Sequence, residues 1–535
     1  MRYPSEDAQL PAVDKSFTFG ETLPGSRVSV NGVPALVAAD GGWIAYVPFS
    51  AGRFVLHVRA VRGSASSEVD RSITVAAASP AAFPEAITVV QPGEAVNLSV
   101  DAPRESQVVA SGPGFSDVAL APAPSLGPET FSATVQLPKA ANGRVTYRIT
   151  GSDGATSVVT SDGHLEAAPS PVLFVGTVVP YAPDPLSGPR PYGMLCDKPD
   201  GETSFTAPVG TPYAVTGRYG RLLRVALGTK QSAAWIDEHE LAPQRTPLPF
   251  GRITSDAVRT DSRETIYTER LTARAPIRID EDPSAAQLDL HAFGAGAGGA
   301  DAILVMHPRQ RTLWGYRVRW IGNDLEIAVK KPPAMAASPR PALAALLVVI
   351  DPGHAPDPGA VGPVGTIERD VNLDISLRLA AKLRELGARV VLTRQDDSAV
   401  TLYARPQLAE RLDADVLVSV HNNALPDGVD PASRHGYSVF YFQPHSRALA
   451  EAMHAAYAAD TSLRDDGLYV GDLALVRTPE LPAVLTESAY VMWPPEEMQL
   501  RDPAFRDRLA ATMRDGLERW AEAMRRIEDS AAGGS

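Results

Sequence analysis

Three short apolar runs in the last third of the chain constrain its fold more than any other feature. They are Ala345-Leu346-Leu347-Val348-Val349-Ile350, Val416-Leu417-Val418-Ser419-Val420 and Ala483-Val484-Leu485-Thr486. Runs of this length read as strands buried on both faces of a parallel sheet. Each is soon followed by a residue that can bind a metal or move a proton: His354, His421 and Glu487. Ligands of open α/β sheets bind at the carboxyl ends of the strands, so these side chains are expected at one rim. Glu368 lies between the two histidines. Two imidazoles, a carboxylate ligand and a second carboxylate are the inventory of a hydrolytic zinc site.

Around these runs, strands alternate with helical patterns. Asn372–Leu386 reads as a helix with Leu373, Leu377, Ala380 and Leu383 or Leu386 near one face, Asp370 as its N-cap and Gly387 as its stop. Residues 506–526 read as a last amphipathic helix before a Gly/Ser tail. The alternation predicts an α/β domain over 342–528, a mostly parallel twisted sheet flanked by helices.

Upstream the pattern is β throughout. Short alternating segments such as Arg53-Phe54-Val55-Leu56-His57-Val58 predict an Ig-like β-sandwich over 14–76. A Pro/Ala-rich linker at 76–84 leads to a second β module over 85–167. A Gly- and Pro-rich stretch with short strands, 170–245, is similar to small bacterial β-barrels that bind cell walls. A further β module is expected over 248–333, and a Pro/Ala linker at Pro332–Pro341 precedes the α/β domain. The fold class is therefore multidomain: several N-terminal all-β modules, sandwich or small barrel, then one α/β domain.

Composition narrows the function. A chain of 535 residues exceeds one core, and its 44% apolar and 21% charged residues describe folded protein. The net charge of −13, with no Lys/Arg run, argues against nucleic acid or an anionic membrane as partner. Cys196 is the sole cysteine, so no internal disulfide forms and a zinc site must use His and carboxylates. Cys196 itself reads as a small apolar residue. No run approaches the roughly 20 apolar residues of a transmembrane helix, and Met1–Asp7 shows no signal-peptide core.

None of the candidate pairs has the H-E-x-x-H spacing, so spacing assigns no roles by itself. The surrounding motifs do more. Ile350-Asp351-Pro352-Gly353-His354, Asp357-Pro358-Gly359-Ala360, Glu368-Arg369-Asp370-Val371-Asn372-Leu373, Leu392-Thr393-Arg394, Ser419-Val420-His421-Asn422-Asn423-Ala424 and Pro482-Ala483-Val484-Leu485-Thr486-Glu487 occur in this order. Residues 344–526 thereby resemble the catalytic domain of zinc-dependent N-acetylmuramoyl-L-alanine amidases, the type 3 amidase family. The resemblance implies zinc held by His354, Glu368 and His421, with Glu487 as catalytic acid/base, and peptidoglycan as substrate. It implies extracytoplasmic action, in periplasm or cell wall, with an export signal missing from this sequence. The β modules are then expected to hold the enzyme on the wall or on a protein activator. Two departures stand beside the site: Ala355, then Pro356, where the family has Gly, and Ala489-Tyr490 where it has Gly-Phe. Some members carry an insertion whose helix plugs the site; Phe442–Leu481 leaves no room for one.

Other readings stay open from sequence. Glu487 as third ligand with Glu368 as base is the alternative assignment. A zinc peptidase on another amide and a non-catalytic wall-binding regulator are the alternative functions. Asp351 reads as a turn residue or as a bond acceptor for a ligand histidine. One of Asn422 and Asn423 is expected to cap the strand end, and Arg394 to make a structural ion pair. His435, His445 and His454 are expected on loop or helix surfaces, and Trp43, Trp235, Trp314 and Trp320 in β cores.

Overall fold

The computed structural model describes residues 1–77, 81–123, 125, 129–199, 201–228, 232–244 and 251–532. Part of the first linker, the junction at 245–248 and the Gly/Ser tail after 532 fall outside the described residues.

The C-terminal domain is built on a six-stranded sheet. Its strands are β1 (Leu347–Pro352), β2 (Arg389–Leu392), β3 (Val416–Asn423), β4 (Tyr437–Tyr441), β5 (Asp465–Val470) and β6 (Ala483–Tyr490), in the order β2-β1-β3-β6-β4-β5. β1 pairs in parallel with β2 and β3, and β3 with β6; only the β4–β6 pairing is antiparallel. The apolar runs bury both faces, as expected. Val348, Ile350, Val416, Val418 and Val484 face a core completed by α1 (Glu368–Glu385), α3 (Arg447–Asp460), α4 (Pro494–Arg501) and α5 (Pro503–Ala532). Leu347, Val349, Leu417, Ala483 and Leu485 face a second core with Ala409 of α2 (Ala404–Arg411) and Ala474–Val476. Period-two alternation between two apolar layers produces an unbroken apolar sequence.

Three local expectations need correction. α1 begins at Glu368, with Ile367 at its N-cap, so Asp370 lies in the first turn rather than capping it. The buried stripe of α1 is Val371, Ile375, Leu379 and Leu383, while Leu377 is 42% exposed; spacing by four follows one helix face more closely than the expected set. β3 and β6 run further than their apolar cores, so His421 and Glu487 lie within strands. α3 occupies the Phe442–Leu481 segment and packs on α5, away from any plugging role.

In the first β module, a three-stranded sheet (Lys15–Glu21, Gly42–Pro48, Leu36–Val37) faces a five-stranded one across Trp43, Val30, Leu56 and Ile73. The other face of the smaller sheet presents Phe17, Phe19 and Ile44 to Tyr490 and Met492 of the C-terminal domain. The Tyr3 hydroxyl and Ser16 Oγ both donate to Asp427, at 2.7 and 2.8 Å. Segment 95–160 forms a six-stranded sheet, yet Thr88–Val90 and Leu165–Ala167 on either side of it join the sheet of the third module through Tyr219 and Arg218. In the fourth module, four- and three-stranded sheets share a core around Ile277, Leu290, Ile327 and Val329. Trp314 leaves that module to pack on Trp520 of α5, ring centroids 5.0 Å apart and planes tilted by 37°, and its indole N–H donates to Asp415 O at 2.9 Å. Among the described residues no helix is long and apolar enough to cross a membrane.

Glu480 lies beside this last interface, near Arg317 and Lys330 of the fourth module. Burial, then the charge of Glu410, pushes its carboxyl from 4.5 up to about 7. A raised folded-state value gives stability that is complete below the unfolded value and is lost as pH rises from about 4.5 to about 7. Glu480→Gln removes the ionisation. It should therefore raise the melting temperature at pH 8, by the equivalent of roughly 1–2 kcal/mol, and change it little at pH 4.5. Calorimetric scans at the two pH values check this; an equal shift at both would place Glu480 in water instead.

Candidate active site

β1 ends in a tight turn that carries the first histidine. His354 and Ala355 both adopt left-handed backbone, at φ +68° and +82°. For non-glycine residues this costs about 1–2 kcal/mol each, and such strain gathers at functional sites. It also explains why glycine suits the position of Ala355. Arg405 of α2 holds the turn: its Nη2 donates to His354 O at 2.6 Å, and its Nη1 to Pro352 O and Asp351 Oδ1, both at 2.9 Å.

His354 Nδ1 lies 2.5 Å from Asp357 Oδ1, which leaves Nε2 facing Glu368 Oε1 at 2.9 Å. His421, from β3, places Nδ1 3.1 Å from the same oxygen. Glu368 is only 4% exposed. Its carboxylate also accepts from Ala360 N at 2.8 Å, Asn372 Nδ2 at 3.1 Å and Asn422 N at 3.2 Å. Burial alone would raise its pKa, but the hydrogen bonds from His354 and His421 outweigh it and hold the carboxyl well below the ordinary range. Burial would likewise lower His354, and Glu368 and Asp357 raise it instead.

The potential ligand atoms of His354, Glu368 and His421 all lie within 4.8 Å of one another. Two imidazole nitrogens and one ionised carboxylate form a donor set suited to zinc, with Asp357 holding the His354 ring from outside. The residues present therefore fit the metal. Gly353 is part of the fit, because a Cβ there would meet His421 Cε1 at 2.2 Å.

Glu487 stands next to His421, in register across β3 and β6. Its Oε2 is buried with no hydrogen-bond partner among the described residues. Burial, then the charge of Glu368, pushes its carboxyl well above the ordinary range. A cavity of about 380 Å³ opens beside His354 and His421.

The structure thus brings His354, Glu368 and His421 to one point, with Glu487 alongside. Asp351 is a brace rather than a partner of a ligand histidine: it accepts from Arg405, Thr393 and Ser419. Arg394 donates to the backbone carbonyls of Pro352, Gly353 and Arg369, where an ion pair was expected. Asn422 is buried and donates to Asn372 Oδ1, while Asn423 Oδ1 accepts from Ala424 N. His445 is not on a surface; it is buried against Glu281 of the fourth module at 2.9 Å. Trp43 and Trp314 are fully buried, and Trp320 is half-buried. Asp357, Asn372 and Arg405 gained no role from sequence. Asp357, three residues after His354 in a turn, was the one with a local signal; Arg405 had none.

Residues 348–519 match the Amidase_3 family model, described as N-acetylmuramoyl-L-alanine amidase. N-acetylmuramoyl-L-alanine amidase LytC of Bacillus subtilis is 33% identical over 170 residues, 32% of this chain and 34% of LytC. The probable cell wall amidase LytH of Staphylococcus aureus is 30% identical over 174 residues, 32% of this chain and 57% of LytH. The solved amidase AmiC2 of Nostoc punctiforme is 32% identical, with 33% of this chain and 97% of that one covered, at a TM-score of 0.32. The C-terminal domain belongs to the type 3 N-acetylmuramoyl-L-alanine amidase family. The chain spans between about a third and somewhat over half of these curated relatives.

Gly353→Ala should displace the His421 ring and lower the affinity of the cluster for zinc by roughly 10–100-fold, as for lost supporting contacts. Competition with a chromophoric chelator, beside circular dichroism to confirm folding, measures it. Unchanged affinity would mean that His421 is not a ligand.

Proposed function

We propose that this chain is a zinc-dependent N-acetylmuramoyl-L-alanine amidase acting outside the cytoplasm. Its reaction would be hydrolysis of the amide between the lactyl group of N-acetylmuramic acid and the L-alanine that opens the stem peptide of peptidoglycan. The observation that carries the reading is the convergence of His354, Glu368 and His421 beside Glu487, inside the segment that matches the amidase family. The cell-wall relatives support the substrate and the compartment.

His354 Nε2, His421 Nδ1 and Glu368 would hold the metal. The ion would supply there a water of lowered pKa, to about 7, and polarisation of the substrate carbonyl. Glu487 takes the proton of the attacking water and returns it to the departing amine nitrogen. Burial and the Glu368 charge raise its pKa, a direction that favours return of the proton to the leaving group. Asp357 keeps His354 in the tautomer that leaves Nε2 free for the ion. The β modules place the domain on the wall or on a protein partner.

Mass spectrometry of purified peptidoglycan digested by the full-length protein tests the reading. Free stem peptides beginning at L-alanine are expected, lost with chelator and restored by zinc. Fragments cut within the stem would make the protein a peptidase instead. Glu487→Gln should lower kcat by roughly 10²–10⁴-fold, the usual contribution of a general base, while elemental analysis still finds zinc bound. Loss of zinc in that variant would make Glu487 a ligand.

A further inference from the structure

One wall of the cleft does not come from the amidase domain. The loop Asp184–Pro189 of the third module reaches across to the segment that precedes α2. Leu186 O accepts from Leu402 N and Ser187 O from Tyr403 N, both at 2.9 Å, and Pro189 O accepts from Gln407 Nε2 at 3.1 Å. Gly188, at φ +68°, lies so close that a Cβ would meet Thr401 Oγ1 at 2.7 Å. The loop is rigid in itself: Asp184 accepts from the backbone N–H groups of Leu186 and Ser187 and from Ser187 Oγ. Behind it, buried Arg190 pairs with Glu240 and donates to the Tyr403 hydroxyl.

Docked in this way, the loop lines the same 380 Å³ cavity as His354 and His421. The cavity lies within the size range of small-ligand pockets. Its wall there is aliphatic, made by Leu186, Leu402, Val400, Pro356 and Leu475. Leu186 is 56% and Leu402 37% exposed. Two leucines thus stand in water, joined backbone to backbone, at the edge of a polar cluster. The polar groups of the loop are already engaged, since Asp184 and Ser187 bond each other. A sugar ring needs hydrogen-bond partners for its hydroxyls, and leaving these unmade is costly. An alkyl side chain needs none and gains by contact with leucine.

We propose that the loop Asp184–Pro189 builds an apolar subsite for the alkyl side chains of the peptide arm, on the leaving side of the scissile amide. The third module is then part of the substrate cleft, and Leu186 is a specificity-determining residue. The identity of the ligand rests on the amidase reading; the existence of the subsite rests on the loop.

The experiment uses full-length protein with Leu186→Asn, and Val158→Asn as a control at an exposed valine outside the cleft. First, binding of the free peptide L-Ala-γ-D-Glu-diamino acid-D-Ala to the zinc-loaded proteins is measured by titration calorimetry. Leu186→Asn should weaken it about tenfold, equivalent to about 1.4 kcal/mol, with the control unchanged. Second, kcat/KM is compared for muramoyl-tetrapeptide and muramoyl-L-alanine; Leu186→Asn should lower their ratio about tenfold. Equal binding with an unchanged ratio overturns the subsite and leaves the amidase standing. Peptide binding that depends on Leu186, without hydrolysis of either substrate, keeps the subsite and overturns the amidase reading. A wild-type protein that neither binds nor cleaves overturns both.

Discussion

The buried carboxylate of Glu368 is the group around which the site is organised. An ionised carboxyl at 4% exposure has left nearly all its water behind, and such a charge is tolerated only when its lone pairs are met. They are met by two histidines, two backbone N–H groups and the Asn372 amide. Each donor fixes an element: His354 the turn after β1, Asn422 N and His421 the end of β3, Ala360 N the approach to α1. A position of high negative potential, ringed by imidazoles, results from the fold itself before any ion is considered.

Beneath that layer lies a second charge. Asp351 is fully buried; burial would raise its pKa, and the Arg405 charge with the Thr393 and Ser419 hydroxyls brings it below the ordinary range. Arg405 then spends its remaining donors on the carbonyls of the left-handed turn. It is therefore a positioning residue, holding His354 through backbone alone. Because Arg405 follows Leu402 and Tyr403, which bond the third-module loop, a continuous set of contacts runs from that module to the first candidate ligand. Rigid, packed contacts of this kind transmit displacement, so loosening the loop would be felt at His354.

Much of the α/β domain was legible because its signals are local. Apolar runs between turn residues marked β1, β3 and β6, Gly387 marked the end of α1, and the collinear motifs around His354, Glu368, His421 and Glu487 marked the site. The rest depended on partners that a local pattern does not name. Trp43-Ile44-Ala45-Tyr46-Val47 reads as one strand, but only the structure shows that Ile44 faces Tyr490 across a module boundary. Tyr490, a departure from the family pattern, packs there beside Phe17 and Phe19, and its hydroxyl, which a Phe lacks, donates to Asp466 Oδ2 at 2.7 Å. Thr88–Val90 pairs with residues more than a hundred positions on, so the sheet of the third module draws strands from the segment assigned to the second. His445 looked ordinary because its partner, Glu281, is 164 residues away. Arg405 was silent because it bonds Asp351, 54 residues away, and backbone carbonyls, which carry no sequence.

These contacts change what the β modules are for. Modules on flexible tethers raise local concentration and leave the catalytic geometry alone. Here the first module buries Phe17, Phe19 and Ile44 on the catalytic domain. The fourth packs Trp314 against Trp520 and buries Glu281 beside His445, and the third contributes a wall of the cleft. Large buried aromatic contacts of this sort resist relative domain motion, whereas small polar interfaces permit it. The modules therefore present the cleft at a set orientation to whatever they hold. Access to the four polar side chains of the site is thus set by the assembly of the modules as well as by the domain that carries them.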